Sequence, residues 1–135
     1  MVRRELREHV FKMLFQIEFI DVNEMPEHLE LYFDNLPNAS DKDKEYITDK
    51  VNKVIDKIPE LDNILNEKTT GWKTTRMSKV DLTLLRLALY EMIWDDDVPT
   101  SVAINEAVEL AKGFSGENAP KFINGVLAKC ITSIQ

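Results

Sequence analysis

Apolar residues in this chain recur every three to four positions and almost nowhere alternate with polar ones, so the pattern predicts helices and no half-buried strand. In residues 3–20, Leu6, Val10, Met13, Leu14 and Ile17 fall on one stripe at helical spacing. Pro26 opens a short second helix, which Pro37 closes. Ser40, followed by Asp41 and Asp43, is a start signal for a third helix, with Ile47, Val51, Val54, Ile55 and Ile58 as its apolar stripe. Pro59 then bends the path into a fourth helix, ELDNILNEK, which ends before Gly71.

The loop TTGWKTTRM divides the chain. Beyond it, Ser78 with Asp81 three residues on resembles a capping box in which Asp replaces the usual Glu or Gln. The helix that follows is apolar nearly all round (Leu82, Leu84, Leu85, Leu87, Leu89, Met92, Ile93), the mark of a central, buried element. DDDVP makes a turn. A sixth helix faces Ala103, Ala107, Leu110, Ala111 and Phe114 inward and ends at Gly113 and Gly116. Pro120 sits in the first turn of a seventh, with Ile123, Val126, Leu127, Cys130 and Ile134 inward. The expected fold is all-α: one domain over residues 1–135, with about seven helices in two small bundles sharing a core, one over about 1–70 and the other over about 76–135.

Composition narrows the class. The chain has 135 residues, 44% hydrophobic and 30% charged, which suits a soluble globular domain. Its longest apolar run, LTLLRLALYEMIW, is interrupted by Arg86 and Glu91 and is too short to span a bilayer. No stretch reads as a signal peptide, and the single cysteine, Cys130, leaves no internal disulfide, so a cytoplasmic protein is expected. The net charge of −7 excludes a bulk nucleic-acid binder, because affinity for phosphates comes from clustered Lys and Arg. Residues 1–16 are the exception. They carry Arg3, Arg4, Arg7 and Lys12 against Glu5 and Glu8, leaving 13 basic and 22 acidic groups in the rest of the chain.

Catalytic constellations do not emerge. His9 and His28 are the only histidines, and neither stands at a metal-ligand spacing with Cys130. No phosphate loop and no dinucleotide-binding glycine pattern occur. Asp95, Asp96 and Asp97 read as a solvated turn, and Glu106 and Glu109 as a polar helix face. No metal or cofactor is expected. Two stretches do carry chemistry. At 100° per residue, Arg4, Arg7, Phe11 and Phe15 share a flank of the first helix, where guanidinium groups hold phosphates and rings accept splayed-out bases; the alternative is that the rings pack inward and the arginines solubilise. Near the other end, Lys121 and Phe122 join a positive charge and a ring to a helix start, a place for an anion and a stacked base; the alternative is that Phe122 packs at the bundle edge.

The blocks VDLTLLRLALYEM and DVPTSVAINEAVELAKGFSGENAPKFINGVLAK, together with RRELREHVFKMLFQIE, resemble the NusB family of bacterial transcription antitermination factors. The likeness is strong in residues 80–129, moderate in 3–18, and confined to the helical pattern in 21–75. It implies a helical, non-catalytic protein that binds boxA single-stranded RNA in nascent ribosomal RNA transcripts. Such a protein acts together with NusE, a small-subunit ribosomal protein, and joins an antitermination complex on RNA polymerase. Carried over by position, Arg3, Arg4 and Arg7 contact phosphates, and Phe15 stands where an aromatic, often tyrosine, is expected. Asp81 accepts hydrogen bonds from base edges or serves its helix start, while Lys121 and Phe122 match the last contact region. The chain departs from the pattern at Glu5, which replaces a frequent basic residue, and at Asn118, where many members are acidic; Asn118 either favours RNA by removing a negative charge or caps the last helix. Two other readings stay open. One is a helical protein-interaction module without RNA; the other is a truncated RNA-binding domain of a ribosomal RNA methyltransferase.

Overall fold

A computed structural model describes residues 1–71 and 73–133, and seven α-helices account for most of them. Ile134, which the sequence pattern turns inward, lies outside the described residues. The chain separates into two compact units, Met1–Ile55 and Asp56–Gln135. No helix among the described residues is long and apolar enough to cross a membrane.

In the first unit, α1 (Arg3–Phe15) runs into a 3-10 turn over Gln16–Glu18. Ile17 therefore falls in the turn, half-buried, and the helical stripe stops at Leu14. α2 (Met25–Asp34) has Pro26 in its first turn, where a missing N–H costs no hydrogen bond. α3 (Asp41–Asp56) starts at a reciprocal cap: Ser40 Oγ accepts the Asp43 N–H at 3.1 Å, and Asp43 Oδ2 accepts the Ser40 N–H at 3.0 Å. That pairing, led by the Ser40 backbone, holds the Asp43 carboxyl below its ordinary value. Ile47, Val51 and Val54 are fully buried, as their spacing requires. Between α1 and α2, His9 Nδ1 and the Tyr32 hydroxyl share a 2.6 Å hydrogen bond.

In the second unit, α4 (Ile58–Lys68) contacts both α5 (Lys79–Trp94) and α7 (Ala119–Cys130), while α6 (Thr100–Phe114) packs on α5 and α7. The boundary between units thus precedes α4, ahead of the loop where the sequence pattern divides the chain. A fork ties α4 to α5: Arg86 donates from Nε to Asp62 Oδ1 at 2.9 Å and from Nη2 to Asp62 Oδ2 at 2.8 Å. α5 is buried on nearly every side, and Leu84, Leu85 and Leu89 expose 1% or less. Phe114 is different from expectation. It is the last residue of α6, with 41% of its surface exposed, and the buried positions of the helix stop at Leu110 and Ala111.

Hydrogen bonds hold described residues on both arms of the α4–α5 loop. Thr69 Oγ1 donates to the Leu65 carbonyl at 2.7 Å, Asn66 Oδ1 accepts the Thr74 N–H at 2.7 Å, and Lys73 Nζ donates to the Asn66 carbonyl at 3.0 Å. Gly71, at φ 79°, takes the left-handed conformation that a side chain would disfavour.

Candidate nucleic-acid interface

On α1 the predicted flank splits. Arg3 and Arg4 are exposed and Phe15 is half-buried, whereas Arg7 exposes 6% and Phe11 3%. The expectation of an open Arg7 reaching a phosphate is therefore corrected: burial keeps it inside the folded chain. At 100° per residue the buried side of α1, from Met13 round to Phe11, spans roughly 160°, and Arg7 and Phe11 fall within it. The rings form a chain, Phe11 to Phe15 at 6.4 Å between centroids and Phe15 to Phe19 edge-on at 5.2 Å, with Phe19 62% exposed. What α1 offers to solvent is a pair of arginines at its start and a half-open aromatic edge at its end.

The second unit brings Asp81, Asn118, Lys121 and Phe122 together. The half-buried Phe122 ring contributes to two recesses on the surface. One, of about 360 Å³, is lined by Met77, Ser78, Asp81, Asn118, Ala119 and Phe122. The other, of about 210 Å³, is lined by Thr69, Thr70, Lys121, Phe122, Gly125, Val126 and Lys129. The first pairs an apolar wall with a carboxylate and an amide, groups suited to a base edge; the second sets ammonium groups beside an aromatic ring, suited to a phosphate.

Local hydrogen bonding explains the placement of Asp81. Its N–H is held by Ser78 Oγ at 3.1 Å, which caps α5, and its Oδ1 accepts the Ser115 hydroxyl at 2.6 Å. The serine supplies the cap, and the Asp81 carboxylate is oriented by Ser115 at the end of α6. A second carboxylate oxygen remains for the recess. Asn118 occupies the N-cap position of α7, but its side chain makes no capping hydrogen bond and is exposed, so the capping role is not the one it plays in this structure. Lys121 is exposed in the first turn of α7, where the helix dipole adds to its positive field. No sequence pattern marks Ser115, Thr69, Thr70 or Gly125. Lys129 alone had a signal, two helical turns from Lys121 on the same face.

Other candidate groups resolve as structural. Asp95 Oδ1 accepts the Asp97 N–H at 3.0 Å and closes the acidic turn. Cys130 is fully buried, and burial pushes its thiol up to about 11 despite the nearby Lys68 charge. Among the described residues, no group of three or more His, Cys, Asp or Glu side chains is placed to hold a metal ion.

The sequence profile of the NusB family matches residues 4–132. A transcription antitermination protein NusB from Agathobacter rectalis is 52% identical over 129 residues, covering 96% of this chain and 98% of that one. Another, from Lachnoclostridium phytofermentans, is 47% identical over 131 residues, covering 97% and 99%. Among solved structures, NusB from T. maritima superposes with a TM-score of 0.84 at 33% identity, covering 98% of this chain and 92% of that one. A chain in a crystal structure of the antitermination factors NusB and NusE with double-stranded RNA gives 0.85 at 24% identity, covering 97% and 96%, a likeness of fold.

Proposed function

The chain belongs to the NusB family of transcription antitermination proteins, and from that premise we infer that it works by gripping RNA at the two surfaces described above. It binds a boxA-type segment of nascent ribosomal RNA in the cytoplasm, without catalysis, and does so jointly with NusE as part of an antitermination complex on RNA polymerase. Arg3 and Arg4 take phosphates, and Phe15 offers its edge to a base. Arg7 acts from within the fold by holding this face in place. In the second unit a base stacks on Phe122, Asp81 accepts from its exocyclic amino group, Asn118 adds a neutral donor and acceptor, and Lys121 meets the adjacent phosphate.

The observation that carries this reading is the Phe122 ring bordered by a carboxylate–amide recess and a lysine-lined one. A merely structural phenylalanine at a bundle edge has no need of complementary chemistry on both sides. The partner also fits: a ribosomal protein is basic, and the chain outside α1 is strongly acidic. That acidity disfavours indiscriminate RNA contact.

Fluorescence anisotropy with a boxA-type single strand, a scrambled strand and a duplex, with and without NusE and across a salt series, tests it. Preferential binding of the boxA strand, strengthened by NusE and weakened by salt, is the expected result. Equal affinity for all three RNAs with NusE present would sink it, and absence of RNA binding with NusE still bound would leave a protein-interaction module.

A further inference from the structure

The recess between the α4–α5 loop and α7 has a wall that the fold itself does not explain. Lys121, Gly125 and Lys129 follow one another at intervals of four along α7, so they share one face, and the two lysines stand about 12 Å apart along the axis. Gly125 sits at the middle of this twelve-residue helix. Apart from proline, glycine is the poorest helix former, and mid-helix it is retained where a backbone must be approached closely. Among the described residues nothing approaches it. A Cβ built on Gly125 meets no atom within 4 Å, so no neighbouring helix or loop demands the bare backbone. The φ of Gly125 is ordinary as well, since Gly71 is the only glycine with a positive φ among the described residues. Gly125 is one of the residues that line the recess, together with Thr69 and Thr70 from the α4–α5 loop. Thr69 is fixed there by its hydrogen bond to the Leu65 carbonyl, and Thr70 is exposed.

We propose that this recess is a backbone subsite for the RNA strand, which continues past Phe122 along α7 and lays a phosphodiester against Gly125 between the ammonium groups of Lys121 and Lys129. The inference rests on the RNA-binding reading above and extends it by assigning Gly125 and Lys129, and the strand's direction beyond the stacked base. Lysines two turns apart are too distant to clamp one phosphate together. They suit consecutive backbone positions, with the glycine giving clearance for the sugar-phosphate between them. Thr70 supplies a hydroxyl from the loop side.

Gly125→Ala separates the subsite from stability. It improves helix propensity where no clash arises, so the melting temperature rises by about 2–4 °C, while affinity for the boxA-type strand falls severalfold. Gly125→Leu, which fills the recess, lowers affinity about tenfold. Lys129→Gln lowers the melting temperature by at most a few degrees, no more than about 1 kcal/mol for the loss of one cation from the last turn of α7, and reduces the slope of log affinity against log salt by about 0.7, the share of one single-strand phosphate. Phe122→Ala is measured beside them. If it weakens binding while the Gly125 and Lys129 variants bind as the parent does, with the parent salt slope, the subsite is wrong and the RNA reading stands. If the parent chain binds no RNA even with NusE, both fall.

Discussion

Arg4 and Arg7 stand three positions apart on one helix, and the fold gives them opposite surroundings. Arg4 is exposed, whereas Arg7 keeps 6% of its surface. Replacing each by glutamine should therefore have different effects. Arg4→Gln lowers RNA affinity and reduces its salt dependence, with stability changed by no more than about 0.5 kcal/mol. Arg7→Gln costs about 1–3 kcal/mol in stability, since it removes a buried, engaged cation. Melting curves run beside the anisotropy titrations distinguish them, and equal melting temperatures for the two variants would refute the difference. A second residue-scale effect concerns His9. Burial, and then the Lys12 charge, hold its imidazole below the ordinary value, and burial followed by the Glu8 charge raises the Tyr32 phenol bonded to it. The folded state binds the His9 proton less tightly than the unfolded chain. The His9 contribution is thus fully present above the unfolded value of about 6.5 and is lost as pH falls through the lower folded value. Thermal melts from about pH 8 to about pH 5 should show a decline in stability that His9→Gln makes shallower; an unchanged slope would remove His9 as its source.

Helix starts in this chain are written locally, and helix faces only in part. Ser40 and Ser78 were legible as caps because a cap needs only residues three apart, and both form. Ser78→Ala should cost about 1 kcal/mol, read as a lower denaturant midpoint with an unchanged m-value. In the same helix Leu85→Ala, at a side chain with no exposed surface, should cost about 2–5 kcal/mol. The stripe residues Ile47, Val51 and Val54 of α3 and Ile123 and Leu127 of α7 are buried as their spacing implies. The width of a buried face is another matter. One sequence gives the direction of a helix's apolar side, not the number of neighbours covering it, so Arg7 and Phe11 fell within a face wider than the stripe. Phe114 failed the opposite way, since its apolar character places it inward while its position at the end of α6 leaves it open. Lys121 and Phe122 could be found from the sequence because they are adjacent. The Asp81–Ser115 bond and the Thr69–Thr70 wall join segments far apart in the chain, and only folding brings them to Phe122.

For the whole molecule, charge is the governing quantity. The chain is net −7, its start over residues 1–16 is net positive, and its other 13 basic groups stand among 22 acidic ones, so few cations can neutralise phosphates. With Arg3, Arg4, Lys121 and Lys129 engaged, the log–log salt slope for a single strand should be about −3, and a slope steeper than about −6 would show that cations elsewhere carry the binding. The acidic remainder makes a specific demand as well. Replacing exposed carboxylates on α3 (Asp49 among them) by their amides should raise affinity for scrambled RNA more than for the boxA-type strand. A parallel rise in both would overturn the claim that the acidic surface enforces selectivity.

The sealed thiol of Cys130 has a practical consequence. It is the chain's only cysteine, it sits at the end of the helix that carries Phe122 and Gly125, and its value near 11 leaves about one thiolate in ten thousand at neutral pH. An alkylating reagent reaches it when the C-terminal end of α7 opens, so the labelling rate counts those openings. A ligand that binds α7 only when this end is closed slows the count by the factor one plus its concentration over Kd. The protein thus carries its own timer, which would report RNA seated on α7 without any label on the RNA.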